Sequence, residues 1–293
     1  MHYDDGAFWR PLSENSMFPL QVASGCTHNA CRFCDMYHKS FSIADREAIS
    51  ADIDEIASEP AIYRGRIFLT GGNAFALPMD ILLPVLEEIR EKITPHPSIG
   101  CFARIADVAR KSNEELQTLS ALGISDISIG SESGYDYALA KQNKGFDSHD
   151  IIEQCRRLDN AELSYNLFLL LGMAGAGRCQ EEACATVSVY DQTNPKRIMI
   201  HTMTAFSGAP LFDDIESGDF EPAGEIEMLE ELRTFIARTR LETYILGNHI
   251  GNVARVNGFL PEQREAMLDY IDRLIAQVDE SQLRHFRSMQ RSI

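Results

Sequence analysis

Short apolar runs alternate along the chain with longer segments whose apolar residues recur every three or four positions. Phe18–Ala23, Arg66–Leu69, Ser98–Phe102, Asp126–Ile129, Ser164–Leu171 and Arg197–Thr204 read as strands. Between them Asp45–Ser58, Met79–Ile93, Asn113–Leu122, Asp147–Ala161 and Gln180–Gln192 carry the helical period. The second helix starts beside Pro78, a residue suited to a first helical turn. This alternation predicts βαβ units and a parallel sheet in the α/β class. From about Glu221 the pattern changes. A helix over Glu225–Leu241, a non-periodic stretch over Tyr244–Pro261 and a final helix over Glu262–Val278 follow. The expected organisation is an N-terminal segment over 1–16, a core over 17–220 and a C-terminal helical extension over 221–293 that caps it as a lid. Consecutive parallel units build either a doubly wound sheet or a partly closed barrel, and both present ligands at the C-terminal ends of the strands.

Bulk properties narrow the partners. The chain has 293 residues, 44% hydrophobic and 24% charged, an ordinary globular balance. No apolar run reaches the ~18 residues that would span a bilayer, and the opening MHYDDGAFWRPL has neither the cationic flank nor the apolar core of a secretion signal. A cytoplasmic protein without a membrane partner is expected. With 27 Lys+Arg against 44 Asp+Glu, the formal charge is −17. That balance disfavours nucleic acid, whose binders carry a basic face, and favours a small-molecule substrate. Seven cysteines, an odd number, read as reduced thiols rather than a disulfide framework.

Three of those thiols crowd the exit of the first strand. Cys26, Cys31 and Cys34 lie in GCTHNACRFCDMY with spacing C-x4-C-x2-C. Thiolates on a short irregular loop can converge on one soft metal centre, zinc or iron–sulfur. A structural zinc site needs four protein ligands, and His28 or His38 can supply the fourth. A four-iron cluster on three cysteines leaves one iron open to a cofactor. The residues on this loop leave both readings standing.

Further strand exits carry small and polar residues. The second ends in Gly71-Gly72-Asn73, where glycines let backbone approach a ligand closely. The fourth ends in Gly130-Ser131-Glu132-Ser133-Gly134, which places a carboxylate where nucleotide folds bind ribose hydroxyls, although a Ser–Glu pair can equally cap a helix. The fifth is apolar throughout and exits through Gly172-Met173, leaving room for a planar ring.

Taken together, the three-cysteine loop, the Gly-Gly turn and the GSESG exit resemble the radical S-adenosylmethionine (SAM) enzymes. The nearest branch is that of oxygen-independent coproporphyrinogen oxidase and the Elongator-type catalytic domains, and the resemblance covers roughly residues 18–215. It implies a partial (β/α)6 TIM-like barrel with parallel strands, a [4Fe–4S] cluster on Cys26, Cys31 and Cys34, and SAM chelated to the open iron. Carried over by position, Phe33 packs near the cluster and adenine, and Gly71, Gly72 and Asn73 receive the SAM ammonium. Glu132 and the adjoining Ser133 meet the ribose, Lys144 or Arg104 meets the SAM carboxylate, and Gly172 and Met173 contact adenine. Two departures stand out: one extra residue between the first two cysteines, and Asn73 where the family usually carries an acid. The implied reaction cleaves SAM reductively and abstracts hydrogen from a substrate, with a one-electron donor such as flavodoxin or ferredoxin. Cys101, His201 and His249 are the candidate substrate-facing catalytic residues, with His249 in the lid. Two rivals remain: a non-catalytic zinc or iron–sulfur protein built on the same loop, and a barrel enzyme using Glu132 as acid and base.

Overall fold

The computed structural model describes His2 and residues 9–14, 16–37, 39–59 and 65–289. His38, a candidate zinc ligand, lies outside the described residues. In chain order the elements are β1 (Phe18–Gln21), β2 (Ala23–Ser24), β3 (Ser42–Ile43), α1 (Arg46–Ser58), β4 (Arg66–Thr70), α2 (Met79–Lys92), β5 (Ser98–Ala103), α3 (Ile105–Ala109) and α4 (Asn113–Ala121). Then come β6 (Ile127–Glu132), α5 (Asp136–Lys141), α6 (Ser148–Asn160), β7 (Tyr165–Leu171), α7 (Cys179–Tyr190) and β8 (Arg197–Thr202). The chain closes with α8 (Pro210–Ser217), α9 (Glu225–Arg238), β9 (Tyr244–Gly247), β10 (Val256–Phe259), α10 (Arg264–Gln277) and α11 (Glu280–Ser288).

These elements fall into two compact units. The first comprises Met1–Asn29, Tyr37–Gly130 and Arg157–Tyr165; the second comprises Ala30–Met36, Ser131–Arg156 and Asn166–Ile293. In the first unit β1 pairs parallel with β4, β4 with β5, and β5 with β6, in registers that set Phe18 beside Ile67 and Arg66 beside Ser98. Leu20, Ile67, Phe68, Leu69, Phe75 and Ile99 are fully enclosed beneath the helices. α1 starts on Asp45, whose carboxylate accepts the N–H groups of Glu47 and Ala48, and buries Ile49, Ile53 and Ile56 at four- and three-residue steps. α4 begins with a reciprocal Ser112–Glu115 capping box.

In the second unit β7 pairs parallel with β8 over six residues, from Asn166↔Arg197 to Leu171↔Thr202, and β8 pairs parallel with β9. The sequence YNLFLLL gives β7 a nearly continuous buried run, as expected of a strand covered on both faces. Tyr190 packs edge-on against Phe235 at 6.1 Å, and its hydroxyl donates to the Phe168 carbonyl at 2.8 Å.

The α/β class with parallel strands is the one the chain adopts, and all six expected strands form. Differences lie at their edges. Phe18–Ala23 breaks at Val22, after which Ala23–Ser24 turns away to pair with Ser42–Ile43. The non-periodic stretch over Tyr244–Pro261 contains β9 and β10, paired antiparallel from Val256↔Gly247 to Phe259↔Tyr244, so the C-terminal region is not purely helical. Gly258 is one of the two buried positions of β10, and a glycine hides the alternation that marks a strand. The short helices α3, α5 and α8, of five, six and eight residues, are too brief to show a period.

The last helix is fastened from inside the second unit. Arg287, almost fully buried on α11, donates to Glu225 at 2.5 Å, to the Gly251 carbonyl at 2.8 Å and to the Met203 carbonyl at 2.6 Å. Removing one partner of a buried ion pair leaves an uncompensated charge. Arg287→Ala is therefore expected to cost about 3–5 kcal/mol in denaturant unfolding. A loss below 1 kcal/mol, the range of an exposed pair, would show that the contact is dispensable.

Candidate functional site

The cysteine loop runs between β2 and β3, its opening packed in the first unit and Ala30–Met36 in the second. Cys26, Cys31 and Cys34 are half-buried thiols free of disulfides.

In the first unit, the residue after Cys26 is anchored. Thr27 donates its N–H to the Asn73 side-chain oxygen at 3.0 Å and receives the Asn73 amide on its hydroxyl at 2.7 Å. The same amide nitrogen donates to Asp107 at 2.6 Å, and that carboxylate oxygen also takes the Arg104 N–H at 2.8 Å. Asn73 is thus a brace between the start of the cysteine loop and α3. The second Asp107 oxygen is buried with no hydrogen-bond partner, and burial raises its carboxyl above the usual carboxylate range. Gly71 and Gly72 sit at φ of 100° and 92°. A Cβ there would fall 1.5 Å from the Ala23 carbonyl oxygen and 1.6 Å from that of Gly25. Their lack of side chains lets the chain leading into the cysteine loop press against the β4 exit. Arg104 follows β5 and caps α3. Cys101, enclosed in β5, has its thiol pushed up to about 12 by burial, so it stays protonated and is a small apolar core residue.

In the second unit, Cys31 and Cys34 are joined by a turn in which the Cys34 N–H meets the Cys31 carbonyl at 3.2 Å. The segment is held through its backbone. Arg32 N–H donates to the Gln142 carbonyl at 3.1 Å, the Asn143 amide donates to the Ala30 carbonyl at 2.9 Å, and Leu211 N–H reaches the Arg32 carbonyl at 2.7 Å. The Arg32 guanidinium meets Asp214 through two hydrogen bonds.

Around that segment three predicted residues come together. Lys144, buried, places its ammonium 5.4 Å from the centre of the Phe33 ring, 5.5 Å from that of Phe146 and 3.5 Å from the Glu132 carboxylate. Burial pushes the Glu132 carboxyl up, and Lys144 pulls it back. Glu132 holds φ at 70°, a left-handed conformation that costs a side-chain-bearing residue of order 1–3 kcal/mol. The strain sits at a strand exit, on a half-buried carboxylate.

The β7 exit is close by in the chain's hydrogen bonding. Gln142 donates its side-chain amide to the Met173 carbonyl at 3.2 Å. Gly172, at φ 81°, packs against Met228, whose sulfur a Cβ would meet at 2.6 Å. Ser133 accepts the Tyr135 N–H at 3.1 Å and lies 3.4 Å from the Thr186 hydroxyl.

At the end of β8, His201 stacks at 5.0 Å on His249 and at 5.4 Å on Phe168. The loop bearing His249 is tied down. Asn252 donates to the Ile200 and Gly247 carbonyls at 2.8 and 3.0 Å, and Val253 N–H reaches the Thr202 hydroxyl at 3.1 Å. The segment expected to form a lid is held to β8 by these hydrogen bonds. Asp107, Gln142 and Phe146, which contact Asn73, Met173 and Lys144 respectively, were not singled out from the sequence. Only the KQNKG run around Lys144 offered a signal for any of them.

Burial lowers the His201 imidazole to about 4, and neighbouring His249 adds to the fall. The unfolded imidazole binds its proton near pH 6.5. Stability therefore decreases as pH falls from about 6.5 toward 4, because the unfolded state takes up the proton first. In NMR titration the His201 ring resonances should not move above pH 5. A midpoint near pH 6.5 would contradict the buried, neutral assignment.

Comparison with known proteins follows this geometry. A family model described as the radical SAM superfamily matches residues 20–185. Among solved structures, the chain is similar to Escherichia coli coproporphyrinogen III oxidase (HemN), described as a radical SAM enzyme, at 15% identity and a TM-score of 0.58, covering 76% of this chain and 52% of that one. It is similar to the radical SAM methyltransferase TsrM of Kitasatospora setae, solved with cobalamin and a [4Fe–4S] cluster, at 15% identity and a TM-score of 0.56, covering 69% and 39%. It is also similar to the archaeal Methanocaldococcus infernus Elp3, at 16% identity and a TM-score of 0.53, covering 88% and 63%. The chain thus spans between 39% and 63% of these structures, and the likeness is one of fold. No curated protein sequence matches it. Among the described residues no helix is long and apolar enough to cross a membrane.

Proposed function

The chain belongs to the radical SAM superfamily, and on that footing we propose that it is an enzyme holding a [4Fe–4S] cluster on Cys26, Cys31 and Cys34, with SAM beside it, to remove a hydrogen atom from a small-molecule substrate. The observation that carries this reading is the set of three half-buried thiols, none in a disulfide, on one loop. Soft thiolates suit an iron–sulfur cluster, and a set of three leaves one metal position for another ligand. When bound, the two cofactors supply one-electron cleavage of SAM to methionine and a 5′-deoxyadenosyl radical.

The chain's own residues bind, orient and exclude water. Asp107 has a buried oxygen without a partner, which suits the SAM ammonium; Asn73 holds that carboxylate in place. This shifts the ammonium role from Asn73, whose amide is committed to Thr27 and Asp107, to the acid behind it. Lys144 is the carboxylate partner. Its 3.5 Å separation from Glu132 is long for a charge-assisted bond, and the Phe33 and Phe146 rings flank its ammonium. Arg104 instead acts within the first unit, where its backbone N–H meets Asp107. Glu132 and Ser133 face the ribose, and Gly172 and Met173 the adenine. His201 and His249, stacked with burial lowering both imidazoles, offer the substrate a hydrogen-bond acceptor or donor. The electron comes from a small carrier such as flavodoxin or ferredoxin.

The test is anaerobic reconstitution with iron and sulfide. The protein should become brown and form 5′-deoxyadenosine from SAM and dithionite, and Cys34→Ala should abolish both. Colourless protein holding one tightly bound zinc would overturn the reading. His249→Ala should impair substrate turnover while leaving iron content and substrate-free SAM cleavage unchanged. Unaltered turnover would remove His249 from the site.

A further inference from the structure

Two carboxyl groups in the second unit are shut away from water with an incomplete set of donors. Glu182 on α7 is 0% exposed and Glu231 on α9 is 1% exposed. Each holds a backbone N–H of the turn after β7: Gly172 donates to Glu231 and Ala174 to Glu182, both at 2.8 Å. The remaining oxygen of each carboxyl is buried without a hydrogen-bond partner. The titratable groups acting on the pair are the Cys179 thiol, close enough to feel the Glu231 charge, and Glu227, which accepts the Gly177 N–H at 2.7 Å. Tyr190 on α7 feels the Glu182 charge, and Ser133 at the β6 exit is the neighbouring hydroxyl. None of these neighbours is a cation. Two ionised carboxylates in such surroundings repel each other, and one proton held between them removes a charge and supplies the missing donor.

We propose that Glu182 and Glu231 retain one proton between them and act as positioning residues that fix the exits of β6 and β7. With the assignments made above, these exits carry the residues facing the ribose and adenine of SAM, so the inference rests on that reading. α7 is built for the task. Besides Glu182, Thr186 accepts the Gly134 N–H at 2.9 Å, and Tyr190 bonds Ser131 and the Phe168 carbonyl, both at 2.8 Å. These three side chains recur every fourth residue and so line one face of the helix. The strained Glu132 immediately precedes Ser133, whose hydroxyl lies 3.4 Å from that of Thr186 on α7.

Burial is the first cause raising both carboxyls, Glu182 to about 7 and Glu231 further through the charge of Glu182. Both therefore lie above the unfolded value near 4.3. Groups raised on folding contribute stability at low pH and lose it as pH rises through the folded value, here through about 7 and above.

Two measurements test this between pH 6 and 9 on wild type, Glu231→Gln and Glu182→Gln: the thermal midpoint, which needs no ligand, and the Kd for S-adenosylhomocysteine. The wild-type midpoint should fall as pH rises. Its affinity should weaken about tenfold as the pair loses its shared proton, one pH unit of linkage at this scale. In Glu231→Gln the amide replaces the shared proton permanently, so both profiles should flatten and affinity at pH 8.5 should exceed that of wild type. A flat wild-type midpoint, or a Glu231→Gln slope equal to that of wild type, would overturn the proton-sharing pair. If Glu231→Gln does not fold, the wild-type midpoint profile alone decides. Absence of S-adenosylhomocysteine binding by wild type at every pH would instead count against the cofactor reading and leave the midpoint profile as the test of the pair.

Discussion

Parallel strands end on a common edge, and polar groups placed there are shut away from water. A charge so enclosed is costly unless a counter-charge, a set of donors or a proton compensates it. The architecture of this chain is organised around that demand. Glu132 is compensated by Lys144 at 3.5 Å, with two aromatic rings close around the ammonium. Glu225 is compensated by Arg287, which also ties down the loops after β8 and before β10. Asp107 takes an amide and a backbone N–H on one oxygen and keeps the other without a donor. Of the three, Asp107 is left with an unpartnered oxygen and Glu132 with a long ion-pair separation from Lys144.

Those residual needs connect the fold to chemistry. In the first unit Asp107 keeps one carboxylate oxygen without a donor, and in the second Lys144 stands 3.5 Å from Glu132, beside the small-residue exit of β7. Three thiols on an irregular loop supply the soft ligand set. The protein's contribution is positional: strand exits held by buried hydrogen bonds orient a bound cofactor without rearrangement during the reaction.

Much of this was legible in the sequence. Buried strands such as YNLFLLL announce themselves by continuous hydrophobicity, and helices of nine residues or more by their period. The strongly polar α11 is the exception and was not read from the sequence. The cysteine spacing is local, so it reads directly. What escaped notice depends on pairing across sequence distance. Asp107 gains its meaning only through Asn73, 34 residues away, and Glu231 through the Gly172 N–H, 59 residues away. Asn73 looked like a weakened ligand position, whereas its amide acts as a brace. Two four-residue strands with glycine at buried positions concealed β9 and β10. The His249 loop read as part of a lid because it is polar and irregular. The hydrogen bonds of Asn252 and Val253 that hold it to β8 join residues 52 and 51 positions apart in sequence.

The central claim is that Cys26, Cys31 and Cys34 hold a cluster left one protein ligand short, so that SAM completes it. Electron paramagnetic resonance of the dithionite-reduced, reconstituted protein, recorded with and without SAM, tests this most directly. The account predicts a signal from a reduced four-iron cluster whose spectrum shifts when SAM is added. A cluster signal indifferent to SAM would contradict it, as would the absence of any cluster signal from protein that binds zinc.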